Sequence, residues 1–567
     1  MNTNKSRSVA SASPSLTDWR QIHWIKAEKY VIKLRQRIFR AKQLGQFRKV
    51  RKLQRLMLRS KSNLVLSIRK VTQLNKGKRS AGVDGFKVAT PKQRVDLYNQ
   101  MKDKNFLLHR PKAAKRTYIE KKNGKLRPLG IPTIKDRVYQ SMAKNALEPE
   151  WEAVFEAVSY GFRPKRSILD AMEDIWYKMN SKSNKSWVFE GDFKGCFDNL
   201  NHDYIMEQVQ NFPGNKIIGR WLKAGFLDNG VFNTTVSGTP QGGIISPLLA
   251  NIALHGMEVA LGIRYRGGIH FDKIDPKCTR SMVRYADDFV VFCDTKEEAE
   301  KVYDDLKPYL ESRGLELSLD KTKITHIDNG FDFLGFNVRR YNVSTNKTGQ
   351  KLLIKPSKAS VHKAKAKIKE VFKSCFGQRV LVLIERLNEV VRGYGNLWRY
   401  SVAAEELKAL DFYMWKLITN HLRVLHPKKN AAWRTQKYFR KAKQGGNDKW
   451  VLTCPVTGKQ LLKFGWFKIQ RHVKVKFRNS IDDPTLLDYW NKRDIKEFDS
   501  TNVMHRVKLA KAQNYLCPLC KRSLQADGEA LEIDHKLEKV NGGKDSYKNL
   551  RLVHVTCHIS RHIELTA

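Results

Sequence analysis

The stretch that decides the fold is residues 281–293, which read Ser-Met-Val-Arg-Tyr-Ala-Asp-Asp-Phe-Val-Val-Phe-Cys. Apolar runs lie on both sides of a Tyr-Ala-Asp-Asp tip, a pattern typical of two strands joined by a tight turn. The stretch therefore predicts a β-hairpin that carries two adjacent carboxylates, Asp287 and Asp288, at its turn.

A third carboxylate, Asp192, follows a second apolar run at 187–191 and is expected at the end of another strand. Carboxylates held side by side repel each other unless a cation neutralises them, and ligands made only of oxygen suit Mg²⁺. Three acids on two strand ends can hold two Mg²⁺ ions roughly 3.5–4 Å apart, which activate a 3′-hydroxyl and stabilise a leaving pyrophosphate. The alternative is an exposed turn with solvated acids. The second strand and the charge of the chain favour the metal site.

The chain as a whole is strongly basic. Its 567 residues include 107 Lys and Arg against 56 Asp and Glu, a formal net charge of +51. Such an excess destabilises a compact chain by self-repulsion unless a polyanion neutralises it, and nucleic acid is the obvious polyanion. A membrane surface is the alternative, but no run of about 18 apolar residues is present, so we expect no membrane-spanning helix. The length suggests three or four domains.

The N-terminal 80 residues form a basic segment. From Trp19 to about Asn75 the apolar residues recur at helical spacing, which predicts basic amphipathic helices. Such helices are ambiguous between a membrane surface, a partner protein and nucleic acid, and the rest of the chain favours nucleic acid. Gly82-Val-Asp-Gly85 then predicts a tight turn.

Asn123-Gly124 is a strong two-residue hairpin signal between two strand-like runs. The hairpin would present cations that are well placed to hold an incoming triphosphate, namely Arg116, Lys121, Lys122, Lys125 and Arg127. A solvated basic hairpin is the alternative, and position alone does not decide between the two.

Two further features are candidates for substrate contact. The Gly-rich stretch 237–243 opens a helix, and its glycines, among them Gly242, let a backbone approach a nucleotide or template closely, while Gln241 could reach a base or sugar edge. Phe197, five residues after Asp192, could crowd a ribose 2′-hydroxyl and so select deoxynucleotides, or it could equally belong to the core.

The last 60 or so residues contain Cys517-Pro-Leu-Cys520 and, farther on, His554-Val-Thr-Cys557. These two pairs supply four ligands for a tetrahedral structural Zn²⁺. A module this small could not otherwise assemble a sufficient core. We therefore assign Cys517, Cys520, His554 and Cys557 to zinc. The other five cysteines are scattered, and eight in this length do not make a disulfide framework.

Taken in order, the motifs resemble those of a reverse transcriptase. The resemblance is carried by Asp192 with Phe197-Asp198, Pro240-Gln-Gly-Gly-Ile-Ile-Ser-Pro-Leu, Tyr285-Ala-Asp-Asp288 and Phe333-Leu-Gly-Phe336. Three further motifs narrow the resemblance to one family of reverse transcriptases, namely Gly82-Val-Asp-Gly85, Arg127-Pro-Leu-Gly-Ile-Pro132 and Ser159-Tyr-Gly-Phe-Arg-Pro164. Over essentially its whole length the chain looks like a group II intron-encoded protein, the reverse transcriptase–maturase of bacterial and organellar introns.

The resemblance implies an α+β multidomain protein with a right-hand fingers–palm reverse transcriptase fold and a helical thumb. The expected domains are a basic helical N-terminal extension of the fingers (1–80), the fingers and palm (81–340), a thumb or maturase domain (341–430), a basic aromatic DNA-binding domain (431–505) and an HNH endonuclease domain (506–567). Thumb helices are expected at 358–372, 381–396 and about 410–425, and a strand at 331–336.

The tail resembles a His-Asn-His nuclease of the ββα-metal type. That resemblance implies that His535 is the general base that activates water and that Asn549 orients the loop bearing it. It also implies that Asp534 with His558 binds one divalent ion beside the scissile phosphate. The chain departs from the family in carrying His554 where a second Cys-x-x-Cys often stands. Imidazole is an acceptable zinc ligand, so we expect the zinc site to persist.

We therefore expect a multifunctional intron-mobility protein. It would bind its intron RNA as a ribonucleoprotein, assist splicing, nick target double-stranded DNA and copy the RNA into cDNA from deoxynucleoside triphosphates. The alternatives are a maturase whose polymerase has lapsed and a reverse transcriptase of another kind. The intact acidic trio argues against the first, and the nuclease tail and basic N-terminus argue against the second. The expected location is the bacterial cytoplasm, nucleoid-associated on DNA, with an organelle less favoured and no membrane partner.

Overall fold

The computed structural model describes residues 16–566, apart from 121–123, 125, 181, 267–272, 345–347, 444–446 and 526–527. The chain begins with four helices, a strand pair and a long helix: α1 (Trp24–Gln43), α2 (Phe47–Leu58), α3 (Lys61–Arg69), α4 (Pro91–Met101), β1 (Ala114–Glu120), β2 (Leu126–Ile131) and α5 (Ile134–Glu152).

The middle of the chain alternates strands with short helices: α6 (Ile168–Met179), β3 (Trp187–Gly191), α7 (Cys196–Asn199), α8 (His202–Gln208), α9 (Asn215–Leu222), β4 (Phe226–Asp228), β5 (Val231–Asn233), α10 (Ser246–Ala253), α11 (Met257–Ala260), β6 (Arg280–Tyr285), β7 (Asp288–Cys293), α12 (Lys296–Glu300), α13 (Val302–Glu311) and β8 (Lys323–His326). The last part is mainly helical: β9 (Phe331–Phe333), β10 (Phe336–Asn342), β11 (Gln350–Pro356), α14 (Lys358–Ser374), α15 (Val380–Trp398), α16 (Ala404–Leu425), α17 (Ala431–Tyr438), β12 (Phe439–Arg440), β13 (Val451–Leu452), α18 (Leu487–Thr501), α19 (Met504–Ala512), β14 (Leu531–His535), β15 (Leu550–His554) and α20 (Val555–Thr566).

A four-stranded antiparallel sheet, here called the central sheet, has the strand order β6-β7-β3-β8. Successive residues of its strands enter two different hydrophobic cores. Val290 packs into one core and Val291 into the other, and Val188 and Phe189 divide in the same way. Because both faces are buried, the inner strand β7 is a continuous apolar run from Phe289 to Cys293 instead of an alternation of apolar and polar residues. Charged side chains are therefore confined largely to the ends of this sheet.

The first core joins one face of the central sheet to the N-terminal helices. In α1, Val31, Leu34 and Ile38 are buried in this core at helical spacing, while Lys29 and Lys33 are exposed. The predicted basic amphipathic helices are thus confirmed, and their apolar faces pack inward on α5. The predicted turn at Gly82 is also present, since the Gly85 amide donates to the Gly82 carbonyl at 3.2 Å.

The second core joins the opposite face of the central sheet to α14, α15 and α16. These three helices match the expected ranges to within a few residues at most of their ends, and α16 begins six residues earlier than expected, at Ala404. Leu383, Leu387 and Val391 recur along α15 at helical spacing and are buried. The helices therefore use their apolar faces for packing and leave their charged faces outside.

The predicted strand at 331–336 is wrong. Phe333 and Phe336 pair directly across a two-residue turn, so this segment is a hairpin between β9 and β10. Both turn residues lie in the left-handed region, with φ of +49° at Leu334 and +86° at Gly335, as a type I′ turn requires. The turn was missed because a leucine at its first position hides it within an apolar run.

A second four-stranded sheet, here called the outer sheet, has the order β2-β1-β4-β5. The predicted hairpin is confirmed in its strands, since β1 and β2 pair antiparallel from Lys115↔Ile131 to Glu120↔Leu126. Asn123 in its predicted turn, and the candidate cations Lys121, Lys122 and Lys125, lie outside the described residues.

The C-terminal module has a third, separate core that contains Leu524, Leu552 and Val553. Strands β14 and β15 pair antiparallel, and α20 follows directly. Phe498 of α18 also belongs to this core, so the packing reaches upstream of residue 506. Across the described part of the chain, no helix combines the length and the apolar character needed to traverse a bilayer.

Candidate active sites

The predicted hairpin at the centre of the sequence is confirmed. Strands β6 and β7 pair antiparallel up to Tyr285↔Asp288, which leaves Ala286 and Asp287 as the turn. In the neighbouring strand pair, Gly191 lies opposite Phe289. Asp192 and Asp288 are each one residue farther toward the same end of the sheet, so the register brings the predicted trio together there. Gly191 permits this approach, because a Cβ atom would lie 2.1 Å from the Phe289 ring.

The electrostatics of this sheet end are those of crowded acids. The Asp288 residue reaches solvent, yet protein atoms surround its carboxylate, and its pKa rises to about 6. Burial is the largest cause, followed by the negative charges of Asp287 and Asp192, while Lys321 and Arg127 act in the opposite direction. Lys321 Nζ lies 2.6 Å from an Asp192 carboxylate oxygen. The carboxylates of the three aspartates are not all within 4.8 Å of one another. Among the described residues, the groups of possible metal ligands that are this close lie in the C-terminal module.

The turn itself is strained and supported from below. Ala286 is buried with φ of +60°, a left-handed conformation that is unfavourable for a residue with a Cβ atom. Gly161 packs directly beneath it, and a Cβ atom on Gly161 would lie 2.3 Å from the Ala286 nitrogen. The Tyr160 amide donates to the Arg284 carbonyl at 2.9 Å. The segment that carries the Ser-Tyr-Gly-Phe-Arg-Pro motif is thus the floor of the hairpin.

A fully buried guanidinium fixes this floor to the turn. Arg284 Nη1 donates to Asn251 Oδ1 and to the Ala286 carbonyl, both at 3.2 Å, and Nη2 lies 3.8 Å from a Glu156 carboxylate oxygen. The Asn251 amide in turn donates to the Gly161 carbonyl at 2.8 Å. A buried charge is tolerated only when it is paired and hydrogen-bonded, so these partners restrict where the turn can lie.

The arginine of the same motif is structural. Arg163 makes a two-pronged ion pair with Glu152, with both N···O distances at 2.9 Å, and both side chains are almost fully buried. Its remaining nitrogen, Nη1, donates to the Glu156 and Ser159 carbonyls at 2.7 and 2.9 Å. Arg163 therefore ties α5 to the floor of the hairpin and is not available for substrate.

The two described candidate cations of the β1–β2 hairpin point in different directions. Arg127 pairs across the ladder with Ile119, three residues from Arg116, so the two arginines lie on opposite faces of the strands. The Arg116 guanidinium stacks 3.7 Å from the centroid of the Phe226 ring. Arg127 is exposed, and its charge acts on Asp288. The structure brings Arg127 to the aspartates and leaves a phosphate contact of Arg116 as a prediction.

Of the other substrate candidates, Gln241 contacts Arg127. The Arg127 Nε donates to Gln241 Oε1 at 2.8 Å. Gly242 packs against the outer sheet, where a Cβ atom would lie 2.5 Å from the Gly130 carbonyl oxygen. Phe197 is buried and contacts Phe162 edge-on, with ring centroids 6.1 Å apart. That is the environment of a core residue, and its contact with a sugar stays a prediction.

In the C-terminal module, the four predicted zinc ligands converge. One atom each of Cys517, Cys520, His554 and Cys557 lies within 4.8 Å of the others. His554 Nδ1 faces Cys520 Sγ at 3.3 Å, and its Nε2 lies 3.0 Å from the Ser523 carbonyl oxygen, to which it donates. Such a carbonyl contact fixes the tautomer that leaves Nδ1 free to bind a metal. The substitution of His for Cys at this position is therefore compatible with a four-ligand site.

The predicted nuclease residues lie around the β14–β15 hairpin. The Asn549 side chain accepts from the Leu537 amide at 2.8 Å and donates to the Leu537 and Lys544 carbonyls at 2.9 and 3.0 Å. It thus clamps the loop that follows His535, and its role in catalysis stays a prediction. His535 Nε2 contacts Asp545 Oδ1 at 2.7 Å.

Asp534 and His558 are adjacent, with 3.4 Å between Asp534 Oδ1 and His558 Nε2, and a third possible ligand, His562, completes the group. His562 Nε2 lies 2.9 Å from His558 Nε2. The buried Asp534 carboxylate also accepts from Arg551 and Arg561 at 2.7–2.9 Å. His558 is oriented by Glu532, which contacts its Nδ1 at 2.7 Å.

Sequence reasoning missed several of these residues. His562 lies one helical turn after His558, and an i, i+4 histidine pair is a signal that could have revealed it. Arg284 is a charged residue within a run predicted to be a buried strand. A buried charge needs hydrogen-bonding partners, so its position was a signal for the residues that hold it. Lys321 carried no such signal, because it is one of 107 cations.

Four protein-family models match the chain. They are the N-terminal domain of reverse transcriptase at residues 19–101, reverse transcriptase (RNA-dependent DNA polymerase) at 119–338, the group II intron maturase-specific domain at 361–439 and HNH endonuclease at 517–564. Together with the two sites, they define a reverse transcriptase joined to a maturase domain and a DNA endonuclease domain.

Similar proteins narrow the class to which the chain belongs. The chain is 35% identical over 300 residues to protein YkfC of Escherichia coli, covering 48% of this chain and 79% of YkfC. It is 33% identical over 343 residues to the group II intron-encoded protein LtrA of Lactococcus lactis, covering 49% of this chain and 55% of LtrA. A putative COX1/OXI3 intron 1 protein of Saccharomyces cerevisiae is 27% identical over 266 residues, 39% of this chain and 32% of that protein. The chain belongs to the group II intron-encoded reverse transcriptase–maturases.

The floor of the hairpin yields a prediction about Gly161. Gly161→Ala should lower the rate of nucleotide addition about 10²-fold, because the new methyl group displaces the turn that carries Asp287 and Asp288. The measurement is single-turnover primer extension. Gly393→Ala is the matched control, since a Cβ atom there meets nothing within 4 Å, and it should leave the rate unchanged. Full activity in Gly161→Ala would contradict the prediction, and global unfolding would assign Gly161 to the fold instead of the turn.

Proposed function

We propose that the protein binds its own group II intron RNA as a ribonucleoprotein and assists splicing, nicks double-stranded target DNA and copies the RNA into cDNA from the nicked end. The observation that carries the proposal is the shared sheet end of Asp192 and Asp288, with Asp287 in the adjoining turn. A protein that only bound RNA would have no need of three crowded carboxylates whose mutual repulsion is unfavourable.

In this proposal the central sheet is the palm, the outer sheet belongs to the fingers and α14–α16 form the thumb or maturase domain. The domain ranges are those expected from the sequence, 1–80, 81–340, 341–430, 431–505 and 506–567. The continuous first core, which includes α1 and α5, supports the assignment of the N-terminal helices to the fingers.

At the polymerase site, Asp192, Asp287 and Asp288 would hold two Mg²⁺ ions. Their fit to a divalent cation is supported by the raised pKa of Asp288, which reflects burial and like charge that a cation would relieve. Bound Mg²⁺ supplies Lewis acidity at the attacking 3′-hydroxyl and the leaving pyrophosphate. The chain contributes the turn that Arg284 supports. It also contributes Arg127, which Gln241 holds beside the aspartates, where its guanidinium would bind the triphosphate of a deoxynucleotide.

At the nuclease site, His535 would take a proton from the attacking water. Its Nε2 contacts Asp545, so the nitrogen directed to water is Nδ1. Asn549 keeps the supporting loop in place. Asp534, His558 and also His562 would hold one divalent ion, which when bound supplies positive charge at the scissile phosphate.

The cluster of three cysteines and one histidine would hold a structural Zn²⁺. Its donor set, its burial at Cys517 and His554 and the Ser523 carbonyl behind His554 all suit a closed tetrahedral site. The third core is small, which supports a need for a bound metal ion to stabilise the module.

Nucleic acid would contact the basic, aromatic surface of the C-terminal half. Trp450 is half exposed in the proposed DNA-binding region, where its face is available for base stacking. On α16, Lys416 lies 4.6 Å from the ring centroid of the exposed Phe412, a pairing suited to both phosphate and base. The net charge of +51 supports binding of intron RNA and target DNA.

Asp287→Asn tests the polymerase. The substitution keeps the shape of the side chain and removes one charge, so primer extension on an RNA template should fall by about 10³-fold or more. Asp304→Asn, the same change on an exposed position of α13, should be neutral. Extension that survives Asp287→Asn at the normal rate would overturn the assignment of the catalytic carboxylates.

His535→Ala tests the nuclease. Loss of a general base should slow nicking of duplex DNA by about 10²–10⁴-fold and leave primer extension intact. His362→Ala, at an exposed position of α14, serves as the matched histidine control for nicking. Loss of both activities in His535→Ala would mean that the module is structural.

Elemental analysis tests the zinc site. The purified chain should contain one zinc ion, and Cys520→Ser should reduce that content to near zero while primer extension remains, because the polymerase has its own cores. Cys454→Ser removes a buried thiol outside the cluster and should keep the zinc. A chain without stoichiometric zinc, or Cys520→Ser that retains it, would contradict the assignment.

A further inference from the structure

Helix α1 binds two parts of the chain that are more than 400 residues away. Glu28 pairs with Arg522 of the C-terminal module. Arg35 donates through Nε and Nη2 to both carboxylate oxygens of Asp482, each at 2.7 Å. Glu28 and Arg35 are seven residues apart, which places them on one face of the helix, two turns from each other. This face of α1 therefore contacts the C-terminal third of the chain at two points.

The ion pairs of Glu28 and Arg35 are largely buried. The Arg522 and Asp482 side chains are 2% and 5% exposed, and Arg35 also donates to Glu148 of α5 at 3.0 Å. Exposed pairs contribute little to stability, but removal of one partner from a buried pair leaves an uncompensated charge away from water. The contacts are therefore specific for one relative position of α1 and its partners.

A second contact lies beside the first, on α3. Arg69 Nη2 donates to Glu529 at 3.2 Å, and these two side chains are 5% and 4% exposed. The Arg69 guanidinium also stacks on Trp24, 4.5 Å from the ring centroid. Glu529 accepts in addition from the Thr556 amide at 3.1 Å. Arg69 is thus held between the N-terminal helices and the C-terminal module.

The docked part of the module is also the part that carries the cysteine–histidine cluster. Arg522 lies two residues after Cys520, and Thr556 lies between His554 and Cys557. The Cys517 amide donates to the Arg522 carbonyl at 2.8 Å. The contact with α1 and α3 is therefore made by the segments that carry the four possible zinc ligands.

We propose that α1 and α3 form a docking surface that holds the nuclease module at a fixed position relative to the polymerase aspartates. The module then works as one rigid unit with the polymerase, and the docking surface sets where the DNA is cut relative to where synthesis begins. The consequence for cutting rests on the proposed nuclease function. The docking itself does not.

Glu28→Lys tests the docking surface in the full-length protein. It places a cation against Arg522 at a partly exposed position of α1, and it leaves both active sites unaltered. Hydrogen–deuterium exchange of residues 517–525 and 550–557 should become at least tenfold faster, and primer extension should stay within twofold. Nicks in duplex DNA should spread over several positions. Glu311→Lys, the same charge reversal on α13, should change neither exchange nor nick position.

A double-mutant cycle separates docking from general destabilisation. Arg69→Met and Glu529→Gln should each accelerate exchange, and the double variant should be no faster than the faster single variant, because the two residues act as a pair. Unchanged exchange in Glu28→Lys, additive effects in the cycle, or undocking with an unchanged nick position would each overturn the proposal. If the wild-type chain cuts no DNA, the exchange results still decide the docking, while the proposed nuclease function fails separately.

Discussion

The structure depends on the burial of both faces of the central sheet. Its strands alternate between two hydrophobic cores, one shared with the N-terminal helices and the other with α14–α16. Because charge is unfavourable on either face, acids are placed at the sheet end, where Asp192, Asp287 and Asp288 gather. Arg284 is a fully buried charge in this sheet, and it is held by Asn251 and the turn itself. The packing of the sheet thus determines the location of the chemistry.

The main elements of this arrangement were predictable from the sequence, because their signals are local. Continuous apolar runs indicated the strands, Asn123-Gly124 indicated a hairpin, and cysteine spacing indicated the ligand cluster. The failures have physical reasons. Leu334 occupies a left-handed turn position that apolar periodicity does not reveal. Arg116 and Arg127 fall on opposite faces because strand alternation, which depends on the register, separates residues that are close in sequence.

Other parts of the sites could not be found because they depend on long-range contacts. Lys321 meets Asp192 across 129 residues of sequence, and nothing distinguishes it from its many basic neighbours. Glu156 and Gly161 lie in one segment and Asn251 in another, and the two segments meet beneath the turn. The same holds for Glu28 and Arg522 near opposite ends of the chain. Each of these contacts joins segments that only the folded chain brings into register.

The crowding of acids at the sheet end has a consequence for the history of such proteins. The raised pKa of Asp288 reports an unfavourable interaction that a neutral replacement would remove. A lineage released from selection for DNA synthesis would therefore be free to replace Asp288 by a neutral residue, with some gain in stability. The scaffold that is proposed to contact RNA would survive that loss. Descendants that retain only a role in splicing are the outcome that this geometry favours.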